Sequence, residues 1–352
     1  MTAVLFLLLL SVIIVIHEAG HLAAAKFFKV YCYEFSFGMG PKIFGKKKDE
    51  TEYCIRAVPI GGFVAMAGDP QDDEAYPDHT VPEDMRLSNK KPWQKIIIML
   101  AGVTMNFILA WVIFSFIILS AGVFSVSPKA VVDSVRENSP AEAAGFEPGD
   151  VILKVEKENG ASIKPDTYLD MQLFSSGYSG TEIYTVQRGD DTLTIEVTPE
   201  YDEEYESYLI GITGPSAEYV DINLLNCWKY GAYEFKVITV QMISVIKTLL
   251  RGIGLNQLSG PVGIYQATET YASYGFSSYV LLIAELSLNV GIFNLLPLPV
   301  LDGGQVVITL IEWITHRKLS SKVRTAVMLI CWVLLLSLML FATWNDISRL
   351  FA

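Results

Sequence analysis

Cysteine is scarce and scattered. Cys32, Cys54, Cys227 and Cys331 form no C-x-x-C pair, so neither a disulfide framework nor a cysteine zinc site is indicated. Positive charge is also short. Against 38 Asp and Glu there are 26 Lys and Arg, and the net charge of −12 argues against a nucleic-acid partner. Histidine is as rare as cysteine, with four in the chain. Two of these, His79 and His316, fall in polar stretches and read as solvated surface residues. Charged residues make up only 18% of the sequence and leave long apolar blocks intact. With mean hydropathy of +0.38, the pattern is that of an integral membrane protein in contact with the lipid bilayer.

The remaining two histidines sit in one stretch. An apolar run from Val4 to Ile16 leads straight into His17-Glu18-Ala19-Gly20-His21, an H-E-x-x-H pattern. Residues four apart share a helix face, so both imidazoles can reach one metal ion. Glu18 stands close enough to reach a water on that ion. The combination reads as a zinc hydrolase site. Two other readings exist. Met1 to Ile16 could be a secretory signal, but no basic residue precedes Lys26 and the polar residues interrupt it. The His and Glu could also be packing groups, although ionisable residues in a membrane helix are costly and point to function.

The expected fold class is a polytopic α-helical membrane protein with four transmembrane helices. To these are added a membrane-associated β-hairpin region and an inserted PDZ-like α+β domain. The first membrane part covers 1–125, with spans near 4–28 and 96–121. Between them, 30–68 reads as β-hairpins, with an alternating stretch from Tyr31 to Phe37 and Gly turns. Residues 126–215 are soluble in composition. They contain Ser139-Pro140-Ala141, then Ala144-Gly145-Phe146, then Gly149-Asp150-Val151-Ile152. This string closely resembles the PDZ domains of bacterial membrane proteases, a fold that binds extended peptides by adding a strand. Residues 216–278 form an extracytoplasmic amphipathic or linker region. Within it Leu224 to Leu250 is long enough to span but carries Lys229, Glu234, Lys236 and Lys247. The second membrane part, 279–352, holds spans near 279–296 and 323–341.

After the third span, Pro297 and Pro299 break the helix ahead of Val300-Leu301-Asp302-Gly303-Gly304-Gln305. Irregular backbone at membrane depth survives only inside protein or beside a wet cavity. Asp302 could cap the helix that follows or bind metal. Beside His17 and His21 the second role gains weight, because two His and one carboxylate with an open position make a catalytic zinc set.

The two motifs, with a PDZ-like insert between them, resemble the bacterial site-2 protease family over essentially the whole chain. Members are intramembrane zinc metalloproteases of the regulator of sigma-E protease type. The resemblance implies that Zn2+ is held by His17, His21 and Asp302, and that Glu18 is the general base. It implies that Asn294 contacts the substrate backbone in the site. The β region around Gly61, Gly62 and Phe63 would pair with an unwound substrate strand. Substrates would be single-pass membrane proteins, for example anti-sigma factors or signal-peptide remnants, cut within their transmembrane segments. Two departures stand out: only one PDZ-like insert is found, and Gly102-Val103 replaces the Gly-Pro frequent in the family's second span.

Basic residues mark cytoplasmic loops. Eleven Lys and Arg lie from Lys26 to Lys95, and four lie from Arg317 to Arg324. The expectation is therefore a bacterial inner-membrane protein with its active site near the cytoplasmic side and the insert extracytoplasmic. Leu224 to Leu250 then cannot cross, because Asp302 would emerge on the wrong face. Two rivals remain: an ion-coupled transporter using the same polar residues, and a catalytically silent adaptor that holds peptides through its PDZ-like domain.

Overall fold

The computed structural model describes residues 1–77, 80–126, 128–203, 205, 207–250, 258–317 and 319–351. His316 is exposed, and His79 lies outside the described residues. The elements, in chain order, begin with α1 (Thr2–Phe27), β1 (Cys32–Lys48), β2 (Thr51–Met66), α2 (Pro70–Ala75) and α3 (Pro92–Ala121). Next come β3 (Val123–Val126), β4 (Ser134–Val135), α4 (Pro140–Ala144), β5 (Val151–Lys157), β6 (Ser162–Ile163) and α5 (Tyr168–Ser175). They are followed by β7 (Glu182–Arg188), β8 (Asp191–Val197), β9 (Glu200–Asp202), β10 (Ser207–Leu209), β11 (Ile212–Thr213) and β12 (Glu218–Asp221). The chain ends with α6 (Cys227–Leu250), α7 (Pro261–Ser273), α8 (Phe276–Asn294), α9 (Asp302–Thr315) and α10 (Ser321–Phe351). Two compact units result: residues 1–120 with 224–352, and residues 121–223.

Among the described residues of the first unit four helices are long and apolar enough to cross a membrane: α1, α3, α8 and most of α10. At about 1.5 Å per residue, α1 is about 39 Å long, more than a hydrocarbon core of about 30 Å requires. Lipid gives helices no hydrophobic reason to associate, so close approach and interhelical hydrogen bonds must do it. Leu9 and Ile13 of α1 pack on Tyr279, Leu282 and Ile283 of α8. The Tyr279 hydroxyl donates to the Leu5 carbonyl at 2.8 Å, and Ser287 Oγ donates to the Asn106 carbonyl at 3.0 Å.

The amphipathic stretch is the helix α6. Phe235, Ile238, Met242 and Ile246 recur at helical spacing and pack on Ala110 and Phe114 of α3 and Leu288 and Ile292 of α8. Among the described helices it is not one of the four membrane candidates. α10 runs further than the apolar stretch 323–341 suggests. Its Asp346 is buried, and Oδ2 accepts from the backbone N–H groups of Gly260 and Gly263 at 2.8 and 2.7 Å. Those are free donors at the start of α7, so a polar residue continues the helix because it caps another.

The β region holds hairpins, as the sequence suggests: residues 34–37 of β1 pair with 52–55 of β2 on one side and with 62–65 on the other, while 44–48 pair with 51–55. Among the described residues β1 and β2 pair only with each other, with repeated register shifts. Gly38, Gly40 and Gly61 take φ of 85°, 81° and 79°, and these bends turn β1 and β2 so that the two ends of each pair separately. β2 runs along α1, where Ser11 Oγ donates to the Pro59 carbonyl at 2.8 Å.

The second unit has its own core, with Val132, Phe146, Ile152, Val155, Tyr184 and Val186 at its centre. Its main sheet has strand order β6-β5-β7-β8. Ser139 caps α4 by accepting from the Glu142 N–H, and Gly145 ends it in the left-handed region at φ 91°. The unit is wider than 126–215 because β3 and β12 pair antiparallel and close its two chain ends together. Sequence alone leaves 123–126 and 218–221 without partners, so their pairing shows only in the fold.

Candidate metal centre and active site

The pattern H-E-x-x-H sits inside α1, where one helical turn carries His17 onto His21. Their Nε2 atoms stand 3.1 Å apart, and both residues are buried. This is possible because α3 offers no side chain at the crossing. A Cβ on Gly102 would lie 2.4 Å from His21 Nε2 and 2.8 Å from His17 Cε1. One turn away, a Cβ on Gly20 would lie 2.4 Å from the Ala101 carbonyl oxygen. Two glycines therefore let α1 and α3 touch backbone to backbone around the histidines.

The third group comes from the other end of the unit. α8 ends at Asn294, and Pro297 and Pro299 occupy the irregular turn before α9. A Cβ on Gly303 would lie 2.3 Å from the Leu295 carbonyl oxygen, and one on Gly304 would lie 2.1 Å from that of Leu298. Only glycine lets the first turn of α9 fold back on this segment. Leu301, not Asp302, is the N-cap, and no side chain caps the helix. The capping role open to Asp302 in the sequence is thus not the one it plays. Its Oδ2 points at the histidines, 3.1 Å from His17 Nε2 and 3.6 Å from His21 Nε2.

These three atoms fit a tetrahedral ion. Zinc bonds of about 2.0–2.1 Å place neighbouring ligand atoms about 3.3–3.4 Å apart. The electrostatics agree. His21 Nδ1 lies 2.8 Å from the Ile98 carbonyl, which can only accept, so Nδ1 carries the hydrogen and Nε2 presents its lone pair. Asp302 Oδ2 is buried with no hydrogen-bond partner. Acceptors converging in a buried place need a cation between them. A second cluster, Glu34, Glu52 and Cys54, does not present itself in this way. Glu34 is held by Arg56 at 2.8 and 2.9 Å and by Tyr76 at 2.8 Å, and Glu52 is paired with Lys42.

The three residues line a cavity of about 660 Å³ together with Glu18 and Asn294. Glu18 Oε2 accepts from the Val64 N–H of β2 at 3.2 Å, so the hairpin aims the carboxylate. Gly61, Gly62 and Phe63 do not line the cavity; β2 enters it at Val64 and Met66. Gly61 instead packs near Ile14, and Arg56 stacks on the Phe63 ring at 5.1 Å.

The model of peptidase family M50 matches residues 5–338. This chain belongs to that family. It is 37% identical to the putative zinc metalloprotease CPE1693 of Clostridium perfringens, over 97% of each chain. It is 30% identical to the zinc metalloprotease RasP of Shouchella clausii, over the full length of both. It is 32% identical to the regulator of sigma-W protease RasP of Bacillus subtilis, over 99% of each. Among solved structures, the PDZ domain of an SdrC-like protein from Listeria monocytogenes matches 25% of this chain and 88% of that one, at 20% identity and a TM-score of 0.20. The M50 chain is accordingly a zinc metalloendopeptidase of the site-2 protease type and an integral membrane protein. The transporter and the silent adaptor fall away.

Three supports of the M50 site escape sequence reasoning. The Val64 N–H and the Ile98 carbonyl are backbone groups, which every residue type carries. Gly102 is visible as a small residue, but nothing in the sequence pairs it with the histidines 81 or more positions earlier.

Proposed function

We propose that this protease cleaves transmembrane segments of single-pass membrane proteins near their cytoplasmic end. The observation that carries the reading is the meeting of Asp302 with His17 and His21 of α1, a helix long and apolar enough to cross a membrane, beside a cavity that also holds Glu18 and Asn294. His17 Nε2, His21 Nε2 and Asp302 Oδ2 would hold the zinc. The bound ion supplies a Lewis acid that lowers the pKa of water to about 7 and polarises a carbonyl. Glu18 takes the proton from the attacking water and passes it to the leaving amine. The Val64 N–H keeps its carboxylate aimed while it does so. Asn294 offers an amide N–H to the substrate backbone or to the developing oxyanion.

A helical substrate hides its carbonyls in its own hydrogen bonds, so it must unwind before attack. Residues 34–37 of β1 are paired on both sides, by 52–55 and by 62–65, whereas 62–65 of β2 pair on one side alone among the described residues, which leaves that segment an open edge. An extended substrate near Gly61, Gly62 and Phe63 could add to that edge and be led to Val64. The basic residues between the first two spans support a cytoplasmic hairpin and an inner-membrane location with the PDZ-like unit outside.

Membrane proteomes from cells with the native chain and with Glu18→Gln test this reading. Shortened single-pass proteins should accumulate uncut with the variant. If only soluble proteins differ, the intramembrane reading is wrong. A cysteine placed in 69–77 should be labelled only from the cytoplasm, and one in 162–166 only from outside; reversed labelling would refute the orientation.

A further inference from the structure

We infer that Asn106 is the positioning residue for His17: its side-chain oxygen accepts the Nδ1 hydrogen, which fixes the tautomer that leaves Nε2 free for zinc. His21 has such a partner in the Ile98 carbonyl. His17 Nδ1 instead faces the Asn106 amide, at 3.3 Å, its one polar partner among the described residues. Asn106 is fully buried in α3, one turn beyond Gly102. The end of the amide facing Nδ1 is Nδ2, and Oδ1 is buried with no hydrogen-bond partner.

An NH2 group only donates, so it can face Nδ1 only when Nδ1 carries a lone pair. A neutral imidazole then has its hydrogen on Nε2, the atom that must bind zinc. Zinc on Nε2 requires hydrogen on Nδ1, and NH2 against N–H would set two donors together in a buried place. A half-turn of the amide about its last torsion removes this conflict. It puts the orphan Oδ1 where an acceptor is needed and turns NH2 away. Asn is suited to the role because one side chain carries both a donor and an acceptor. Its main chain is held independently, as the Asn106 carbonyl accepts from Ser287 at 3.0 Å. A ligand histidine whose other nitrogen is held this way is a stronger and better aimed ligand.

The test is zinc affinity of the full-length protein in detergent, measured by competition with a chelator. Asn106→Leu has similar size but no acceptor, and should bind zinc about 10–100-fold more weakly. Asn106→Asp keeps an acceptor and should stay within a few-fold of the native chain. A role limited to helix packing predicts the reverse order, because Leu packs well in a membrane helix and a buried Asp does not. Zinc binding unchanged in Asn106→Leu, or lost equally in both variants, overturns the inference. Should the variants not fold, ¹⁵N-histidine NMR of the native zinc-loaded protein reads the tautomer directly. Hydrogen on His17 Nδ1 with a coupling across to Asn106 supports the assignment; hydrogen on Nδ1 without that coupling refutes it.

Discussion

Asp302 Oδ2 lies 3.1 Å from His17 Nε2, although one residue opens α9 and the other lies in α1. The site is therefore a property of the folded bundle and cannot exist in either half alone. This separates the two acidic residues by role. Asp302→Ala should lower zinc per chain and abolish cleavage. Glu18→Gln should keep about one zinc per chain and lose cleavage, because it removes a base and not a ligand. Metal analysis of the purified proteins checks both. Full zinc in a doubly substituted His17→Ala, Asp302→Ala protein would overturn the ligand assignment.

Gly102 tests the steric side of the same relationship. An added methyl would sit 2.4 Å from His21 Nε2, and neither α1 nor α3 can retreat easily while Gly20 rests on Ala101. Gly102→Ala should displace an imidazole and weaken zinc binding by about tenfold or more, the size of effect seen when a ligand's support is disturbed. Ala is an excellent helix former, so helix content by circular dichroism should not fall. An alanine variant with native zinc affinity would mean that the rings have room to move.

How much of this was legible beforehand follows from where each feature is encoded. His17, Glu18 and His21 fall within five consecutive positions of one helix, and a local spacing carries them. The break at Pro297 and Pro299 and the pair Gly303-Gly304 are likewise local, so Asp302 could be singled out. The extra length of α10 was not legible, because it depends on Asp346 reaching the backbone of a distant helix. The bends at Gly38, Gly40 and Gly61 were legible as turns, but not that 34–37 would be paired on both sides, by 52–55 and by 62–65. The contacts that orient the site, Val64 N–H to Glu18 and Ile98 carbonyl to His21, use backbone atoms and leave no residue signature.

Asn294 lines the cavity at the last residue of α8, just before the broken segment. If its amide meets the developing oxyanion, losing it should cost about 3 kcal/mol, or a hundredfold in turnover. Asn294→Ala should show this loss with zinc retained. Unchanged turnover would leave Asn294 a structural end to the helix.

The inserted unit carries a pH dependence of its own. Asp150 is fully buried. Burial by itself would raise its carboxyl pKa, but hydrogen bonds from Arg188 at 2.7 Å and from the Glu147 N–H at 3.0 Å outweigh it and hold the value below the usual range. The folded value lies below the unfolded value of about 3.9. This contribution is therefore complete above that value and is lost as pH falls through the folded one. Asp150→Asn should weaken the unit by about 2 kcal/mol at neutral pH, less than a wholly buried pair because Arg188 keeps some exposure. Hydrogen exchange of β5 and β7 in the full-length protein reads this. The gap between native and variant should be constant above about pH 6 and shrink toward pH 3. A gap that widens on acidification would reverse the sign and refute the ion-pair account.

The insert can serve cleavage in one of two ways. A peptide-binding role expects a groove that captures the free carboxyl terminus left by an earlier cut. A steric role makes the unit a gate that excludes bulky ectodomains, so that only trimmed substrates reach the site. The antiparallel pairing of β3 with β12 makes the experiment practicable, since it holds the two ends of the insert side by side. Deleting residues 129–211 leaves that pair to be closed by a short linker. Under the gate, the deleted protein should cleave an untrimmed substrate, and should cleave a trimmed one whatever its terminal residue. Under the groove, deletion should slow cleavage of the trimmed substrate, and amidating its new carboxyl terminus should slow the native enzyme equally. The gate is the favoured reading, because no glycine-flanked carboxylate loop marks the start of the insert. The insert is also poor ground for an anion: from 121 to 223 it has 20 Asp and Glu against 6 Lys and Arg. Such a field repels a free carboxylate before any groove can hold it. A deleted protein that stays folded and zinc-loaded yet refuses every untrimmed substrate would rule the gate out.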